Sequence, residues 1–273
     1  MNIRRSRILL AAGAASLALG LGVPALASAT PSHTSAQPKP TIVLEHGAWS
    51  DGSSWSGVVK RLQAEGYPVM APADPLRGVA DDSAYLASVL AGVKGPVVLV
   101  GHSYGGTVIT QAAAGNPNVK ALVYVAAFAP DTGETVAALN AKNPGSHITQ
   151  DALNPVPYTQ SGGSGVDLYI KPADFADIFA GGLPSSTTAE LAATQRPIDA
   201  NALNEPVTAA AWKTIPSWYL VAENDHAISP ATERFMARRA HAHTVEVRSP
   251  HAAQIAQPGA VASLIRQAAR ATG

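Results

Sequence analysis

Short apolar runs alternate with longer amphipathic or alanine-rich stretches along most of the chain. The apolar runs are often β-branched and are bounded by Gly, Pro or Asp, a pattern typical of buried strands. They predict six strands, over Thr41–Glu45, Tyr67–Ala71, Pro96–Val100, Ala121–Ala126, Ser217–Val221 and Thr244–Val247. The stretches between them predict helices over Ser53–Glu65, Asp81–Ala91, Tyr104–Gly115, Pro230–Ala242 and Pro258–Ala269.

This alternation predicts an α/β fold in residues 41–273, with a mainly parallel six-stranded sheet and helices on both faces. A sheet of this kind binds its ligand beyond the carboxyl ends of its strands. The alternation stops in residues 131–212, where we find no convincing strand and only two short helical patterns, Asp174–Ala180 and Thr188–Thr194. An insertion of that length exceeds an ordinary connection, so we expect a helical cap over the site.

The N-terminal segment has the pattern of an export signal. Arg4, Arg5 and Arg7 precede an uncharged apolar run, and small residues follow Pro24. We therefore expect residues 1–29 to be a signal peptide that is cleaved after Ala27 or Ala29, and residues 30–40 to be a flexible tether. An uncleaved membrane anchor is the alternative, because the apolar run approaches the length of a membrane span. The paired arginines also resemble a twin-arginine signal, although the ordinary export route fits them better.

Composition excludes several classes of function. The 273 residues contain 47% hydrophobic side chains and no cysteine, and the 19 basic and 19 acidic side chains balance. Disulfides, thiolate metal sites and a cysteine nucleophile are therefore excluded, and no charge excess favours nucleic acid as a partner. After cleavage of the signal peptide, the mature chain has a net charge of about −3. We expect this mature protein to be secreted and to have no stable association with the membrane.

The segment Gly101-His102-Ser103-Tyr104-Gly105-Gly106 follows a predicted strand and precedes a predicted helix. Strand, sharp turn and helix are the context that the G-x-S-x-G nucleophile elbow requires. Glycines are needed in it because larger side chains collide where the strand turns back into the helix. The pattern predicts that Ser103 is a nucleophile that projects from the tip of the turn, at the N-terminus of a helix.

An acid and a base are expected after later strands, because on this architecture the catalytic residues follow in the order Ser, Asp or Glu, His. Glu223 and Asp225 both follow the strand that begins at Ser217, and we favour Asp225 because it lies farther past the strand end. Of the eight histidines, His251 follows the last predicted strand and is the expected base. No His–Glu cluster has the spacing of a catalytic metal site, so we expect no metal.

The oxyanion site is expected to consist of two backbone N–H groups. One is that of Tyr104, the residue after the nucleophile. The second is expected in the loop Glu45-His46-Gly47-Ala48-Trp49, with Ala48 as the donor. We expect Gly47 to let this loop approach the elbow, and His46 to brace the loop by hydrogen bonds.

These motifs together resemble the α/β-hydrolase family: His46-Gly47-Ala48-Trp49 with Asp51-Gly52-Ser53-Ser54-Trp55, the elbow at 101–106, Asp225 and His251. The similarity runs from about residue 41 to the end of the chain. It is strongest to the branch that contains bacterial carboxylesterases, plant methyl-ester esterases and hydroxynitrile lyases. The resemblance implies a cofactor-free acyl-transfer site under a small helical cap, with Ser103, Asp225 and His251 in the catalytic roles and Ala48 and Tyr104 in the oxyanion roles. One departure is that the family's antiparallel leading strands are not predicted here.

The sequence thus predicts hydrolysis of small carboxylic esters through a Ser–His–Asp triad and an acyl-enzyme. The aromatic residues that we expect at the substrate pocket are Trp49, Tyr104, Phe128, Phe175 and Phe179. A hydroxynitrile lyase, for which Lys142 and Lys171 are the weak cationic candidates, and a non-catalytic binding protein on the same fold remain as alternatives. The sequence does not determine the natural substrate, the preferred acyl-chain length or the oligomeric state. It also does not distinguish a lipase from an esterase.

Overall fold

The computed structural model describes residues 39–160 and 162–272. The strands in these residues are β1 (Thr41–Glu45), β2 (Val69–Met70), β3 (Val97–Ser103), β4 (Val119–Ala127), β5 (Leu153–Gln160), β6 (Gly163–Ile170), β7 (Ile198–Asp199), β8 (Ser217–Ala222) and β9 (His243–Val247). The α-helices are α1 (Ser56–Ala64), α2 (Val79–Ala91), α3 (Tyr104–Ala112), α4 (Val136–Asn140), α5 (Pro172–Ile178), α6 (Ser185–Thr194), α7 (Pro230–Arg239), α8 (Ala253–Ala256) and α9 (Pro258–Arg270). The predicted signal peptide, residues 1–29, and nearly all of the predicted tether lie outside the described residues.

The main sheet of the described chain has six strands in the order β2-β1-β3-β4-β8-β9. Every pair in it is parallel. This is the mainly parallel six-stranded sheet that the sequence predicts. From β1 the chain first adds β2 on one side and then crosses back to add β3 on the other, so the strand order reverses between β1 and β3. Ligand crevices open at such a reversal, at the carboxyl ends of the strands.

Alternate residues of the central strands pack against helices on opposite faces of the sheet. Val43 and Leu99 join one core cluster with residues of α2 and α3. Ile42, Leu44 and Val100 join a second cluster with residues of α1 and α9. Because side chains alternate across a strand, both faces of the sheet are covered, and the strands are apolar almost throughout.

The segment between β4 and β8 differs from the sequence-based expectation. It contains α4, α5 and α6, but also a three-stranded antiparallel sheet in the order β5-β6-β7. The expectation that residues 131–212 hold no strand is therefore wrong, and the cap is mixed rather than purely helical. The reason is that β5 is mostly solvent-exposed and β6 is mostly only partly buried, so no fully buried face imposes a period of two on their sequence.

Within the part of the chain that the structure describes, no helix is long and apolar enough to cross a membrane.

Candidate active site

Ser103 lies at the point where strand β3 turns directly into helix α3. Its backbone has φ 53° and ψ −124°, a left-handed conformation that is strained for a residue with a Cβ. A Cβ added at Gly101 would lie 2.6 Å from the carbonyl oxygen of Gly105, which is why glycine is needed where the chain doubles back. The turn presents the Ser103 hydroxyl beyond the carboxyl end of the sheet, as the elbow pattern predicts.

The structure brings together the three residues that the sequence predicts as nucleophile, base and acid. Nε2 of His251 lies 2.8 Å from Oγ of Ser103, and Nδ1 of His251 lies 2.6 Å from Oδ2 of Asp225. The side chains of His251 and Asp225 are fully buried. The carboxylate accepts from Nδ1–H, so Nε2 of the neutral ring is free to accept the serine proton.

Backbone groups hold the Asp225 carboxylate. Its Oδ1 accepts hydrogen bonds from the N–H groups of Ala227 at 2.7 Å and Ile228 at 2.8 Å. Oδ2 is thereby left for His251. The competing carboxylate, Glu223, is more exposed and lies 3.9 Å from the guanidinium of Arg248, away from this chain of hydrogen bonds.

A second carboxyl group, Glu233 of α7, lies behind Asp225 and was not anticipated from the sequence. It is fully buried, and its Oε2 accepts a hydrogen bond from the N–H of Ala222 at 3.1 Å. Burial, and then the charge of Asp225, raise the pKa of Glu233 well above its usual value. The raised pKa favours the protonated form of Glu233 beside Asp225.

Two more residues, His102 and Phe179, hold His251 in place, and the sequence did not predict this role for either. His102 is fully buried, with Nε2 donating to the carbonyl oxygen of His251 at 3.0 Å, and burial lowers its pKa well below the usual value. The ring of Phe179 packs edge-on against the His251 ring, 5.2 Å between centroids. The carbonyl oxygen of Phe179 accepts from the N–H of Ala252 at 2.9 Å. His251 is thus held by strand β3 and by the cap.

The loop after β1 lies against the elbow. A Cβ added at Gly47 would lie 2.7 Å from Cβ of Ser103 and 3.1 Å from the backbone nitrogen of Tyr104, so only glycine permits this approach. Ala48 and Tyr104 both border the cavity at Ser103. The two predicted oxyanion donors therefore belong to backbone segments that meet at the nucleophile.

Two further contacts hold this loop in place. Trp49 has φ 59°, and it donates its backbone N–H to the carbonyl of Arg196 at 2.8 Å and its Nε1–H to the carbonyl of Leu168 at 2.9 Å. His46 accepts the N–H of Asp74 at Nε2, 2.9 Å away, and places Nδ1 3.0 Å from the carbonyl oxygen of Gly47. Burial lowers the pKa of His46 to about 4, so the ring is a neutral brace, as expected.

Three buried carboxyl groups, Glu45, Asp74 and Asp82, lie behind the same loop. Oδ2 of Asp82 accepts from the Tyr104 hydroxyl at 2.8 Å. Burial raises the pKa of Glu45 and of Asp74 well above their usual values. The charges of Asp74 and Asp82 raise the pKa of Glu45 further, and the charge of Asp82 raises that of Asp74.

A cavity of about 610 Å³ opens beside Ser103. The lining residues include Trp49, Tyr104 and Phe128 together with the cap residues Val136, Ala137, Asn140, Ala141, Asn143, Pro144, Gly145, Ser146 and Ile148. Within the described ranges 39–160 and 162–272, no side chain that lines this cavity carries a charge. Lys142 lies over the Phe235 ring and Lys171 donates to the carbonyl of Asp151, so neither candidate lysine borders the cavity.

The prediction that Phe175 and Phe179 line the pocket is wrong. Both are fully buried and outside the cavity lining. Phe179 packs against the His251 ring instead, and Phe175 packs against Phe179 with 5.1 Å between the ring centroids. Both residues belong to the wall that supports the base, whereas Trp49, Tyr104 and Phe128 do border the cavity.

Comparison with known proteins agrees with this architecture. A sequence profile described as the alpha/beta hydrolase family matches residues 42–264. An alpha/beta hydrolase of Aspergillus novofumigatus is 27% identical over 264 residues, which covers 85% of this chain and 97% of that protein. A carbendazim-hydrolyzing esterase of Nocardioides is 34% identical over 111 residues, 36% of this chain and 46% of that enzyme. The crystal structure of polyneuridine aldehyde esterase superimposes with a TM-score of 0.72 at 19% identity, covering 84% of this chain and 98% of that one.

Proposed function

Because the chain belongs to the alpha/beta hydrolase family, we propose that it is a serine hydrolase that cleaves small, neutral carboxylic esters through an acyl-enzyme intermediate. The observation that carries this proposal is the buried chain of hydrogen bonds from Asp225 through His251 to Ser103, at 2.6 and 2.8 Å, which ends at an uncharged cavity. Relatives that are named esterases support the same type of reaction.

In the acylation step, Oγ of Ser103 attacks the ester carbonyl carbon while Nε2 of His251 takes its proton. The backbone N–H groups of Ala48 and Tyr104 stabilise the oxyanion of the tetrahedral intermediate. His251 then returns the proton to the leaving alkoxide, the carbon–oxygen bond breaks, and an alcohol departs. Asp225 keeps the ring in the required tautomer and stabilises the imidazolium.

Deacylation repeats these steps with water as the nucleophile. His251 takes a proton from the water as it attacks the acyl carbon, and the collapse of the second intermediate returns a proton to Oγ of Ser103. The product is a carboxylic acid. No cofactor takes part in the proposed reaction.

Charge and size argue for the substrate class. The cavity lining offers the amides of Asn140 and Asn143 and the hydroxyl of Ser146, but no cation to bind a carboxylate or phosphate group. An uncharged ester with an apolar acyl or alcohol part fits that lining. A lyase of the kind that depends on a cation above the nucleophile is disfavoured, because the described residues that line the cavity include no Lys, Arg or His.

We propose further that residues 1–29 direct the protein out of the cell. The basic start, the uncharged apolar run and the small residues before Ala29 support this proposal. N-terminal sequencing of protein from the culture medium is expected to begin at Ser28 or Thr30. Recovery only in the membrane fraction, with Met1 or Asn2 retained, would contradict it.

Hydrolysis of a p-nitrophenyl ester series, from acetyl to long acyl chains, tests the enzymatic proposal. Ser103→Ala and His251→Ala are each expected to lower kcat by several orders of magnitude. The exposed residues Ser88 and His243 supply matched controls, and Ser88→Ala and His243→Gln are expected to keep the wild-type rate. Unchanged turnover in either catalytic variant, or no turnover of any ester by the wild type, would refute the proposal and favour a lyase or a ligand-binding protein.

A further inference from the structure

A cluster of two histidines and one aspartate lies on the surface where the cap meets the loop of Asp225. Nδ1 of His147 is 2.5 Å from Oδ2 of Asp177, and Nδ1 of His226 is 2.9 Å from Oδ1 of the same carboxylate. The imidazole centroids of the two histidines are 4.3 Å apart. The three candidate ligand atoms all lie within 4.8 Å of one another. We propose that His147, Asp177 and His226 form a binding site for a divalent transition-metal ion, with Zn²⁺ as the representative ion.

The donor set matches this class of ion. Imidazole nitrogen and carboxylate oxygen suit Zn²⁺ and its neighbours in the first transition series, whereas Mg²⁺ prefers oxygen ligands alone. Three protein ligands leave a fourth, open position for water. Both rings direct Nδ1 at the same carboxylate, so the three donor groups already lie next to one another.

Only a small rearrangement is required. Metal–ligand bonds of about 2.0–2.2 Å in a tetrahedral site separate the ligand atoms by about 3.4 Å. The side chains of His147, Asp177 and His226 are 48%, 55% and 42% exposed, so their rotamers can adjust by the remaining distance. On binding, each ring carries its proton on Nε2 and offers the Nδ1 lone pair to the metal.

The backbone pre-arranges two of the ligands. The N–H of His147 donates to the carbonyl oxygen of His226 at 2.7 Å, which fixes the two histidine segments side by side. The hydroxyl of the neighbouring Ser146 donates to the carbonyl of Ala227 at 2.8 Å. Such pre-organisation reduces the conformational entropy that ligand ordering would otherwise cost.

The electrostatic surroundings also favour a cation. Asp151 and Asp174 border the same surface depression as His147 and Asp177. Three carboxylates around one depression create a negative potential that raises the local concentration of divalent ions. These carboxylates supplement the histidine donors, which determine the class of metal.

The position of the site gives the bound ion a structural role. Asp177 belongs to α5, and Phe179 at the end of that helix packs against the base His251. His226 directly follows Asp225, and Ser146 and Ala227, the neighbours of the two histidines, line the substrate cavity. A metal ion would therefore clamp three segments, the loop at 145–149, α5 and the loop at 223–229, around the active site.

Calorimetric titration with ZnCl₂ tests the site. The full chain, without an affinity tag and freed of metal by a chelator, is expected to bind a single Zn²⁺ saturably and to bind Mg²⁺ much more weakly. His147→Gln, Asp177→Asn and His226→Gln are each expected to weaken Zn²⁺ binding by at least about 10-fold, since even outer-sphere partners are worth 10–100-fold. His243→Gln, which removes an exposed histidine from another face, is the matched control and is expected to bind like the wild type.

Each contrary outcome overturns a definite part of the proposal. Absence of saturable Zn²⁺ binding by the wild type, equal affinity for Mg²⁺, or undiminished binding in the three variants would each refute the His–Asp–His site. The comparison of Zn²⁺ with Mg²⁺ uses the wild-type protein alone and does not depend on the folding of any variant. None of these measurements involves ester hydrolysis, so failure of the metal site is distinguishable from failure of the proposed enzyme.

Hydrogen exchange tests the clamp separately. Zn²⁺ is expected to slow amide exchange in residues 145–149, 172–180 and 223–229 of the wild type and to leave exchange in His147→Gln unchanged. Zn²⁺ binding without protection in these segments would show that the ion does not hold the cap to the Asp225 loop.

Discussion

The hydroxyl of Tyr104 donates a hydrogen bond to Oδ2 of Asp82 at 2.8 Å, so the first residue of α3 is tied to helix α2 by its side chain. The backbone N–H of the same residue is one of the two proposed oxyanion donors. The contact therefore couples the position of that N–H to the buried carboxyl cluster behind the active site.

Removal of the Tyr104 hydroxyl is expected to lower stability more than catalysis. Tyr104→Phe keeps the backbone N–H but leaves Oδ2 of Asp82 without this donor, at an expected cost of about 1–3 kcal/mol. Urea unfolding measures the free energy of unfolding. Ester kinetics are expected to show that kcat falls by less than about 10-fold, which is a smaller loss than removal of an oxyanion donor causes. Tyr85→Phe on the exposed side of α2 is the control. A loss of kcat as large as that of Ser103→Ala would mean that the hydroxyl itself takes part in the reaction.

Asp225 and Glu233 are expected to respond differently to the same change from acid to amide. Asp225→Asn removes the charge that orients His251 and is expected to lower kcat by about 10³- to 10⁴-fold. Glu233→Gln keeps the shape of the protonated acid, the form that burial favours by raising the pKa of Glu233, so kcat is expected to stay within a few-fold of wild type. Steady-state kinetics of both variants at pH 7.5 make the comparison. A collapse of activity in Glu233→Gln would show that Glu233 supplies negative charge to the site.

Glu45 is expected to make the protein less stable as the pH rises. Because burial raises its pKa in the folded state, the folded chain retains a proton that the unfolded chain releases. The stabilising contribution is complete below the unfolded pKa of about 4.3 and is lost as the pH rises through the raised folded pKa. Thermal unfolding from acidic to alkaline pH is expected to show a smaller decline in Tm for Glu45→Gln than for the wild type. The exposed Glu190→Gln is the control, and identical pH profiles for wild type and Glu45→Gln would contradict the assignment.

Substitution of Phe128 is expected to change the choice of substrate, whereas substitution of Phe179 is expected to disturb the support of His251. Phe128 borders the cavity, so Phe128→Ala enlarges it and is expected to shift kcat/KM toward longer or bulkier acyl chains by about 10-fold or more. Phe179 packs on His251 outside the cavity, so Phe179→Ala is expected to lower activity on every ester alike and to cost about 3–5 kcal/mol of stability. The ester series read at each chain length decides between these outcomes. A change of chain-length preference in Phe179→Ala would place that residue in the pocket.

The sequence predicts the parts of the molecule that local chemistry determines. The apolar strands of the main sheet are buried on both faces, and their runs are visible without a structure. The G-x-S-x-G turn is defined by steric limits at Gly101. Chain order selects His251 from the other histidines and leaves Glu223 and Asp225 as acids, of which Asp225 lies farther past the strand end. These are the residues that the structure brings within hydrogen-bonding distance of one another.

The parts that were missed depend on contacts between distant segments. Strand β5 carries Pro155 and Pro157 and pairs only with β6, so it is an edge strand, where proline is tolerated and apolar alternation is not required. Phe128 and Phe179 are the same type of residue, so the sequence does not reveal that Phe128 lines the cavity and Phe179 packs against His251. The His147, Asp177 and His226 cluster comes from three separate segments, so no ligand spacing in the sequence could reveal it.

Covalent trapping of the nucleophile tests the central claim most directly. A fluorophosphonate forms a phosphorus–oxygen bond with an activated serine and releases fluoride, so intact-protein mass spectrometry reads the reaction as a single added mass. We expect one adduct per chain, located at Ser103 by peptide mapping. The adduct is expected to be absent in Ser103→Ala, to form much more slowly in His251→Ala and to form at the wild-type rate in Ser88→Ala. An unmodified wild-type protein, or an adduct that persists in Ser103→Ala, would contradict the claim that Ser103 is the nucleophile of a serine hydrolase.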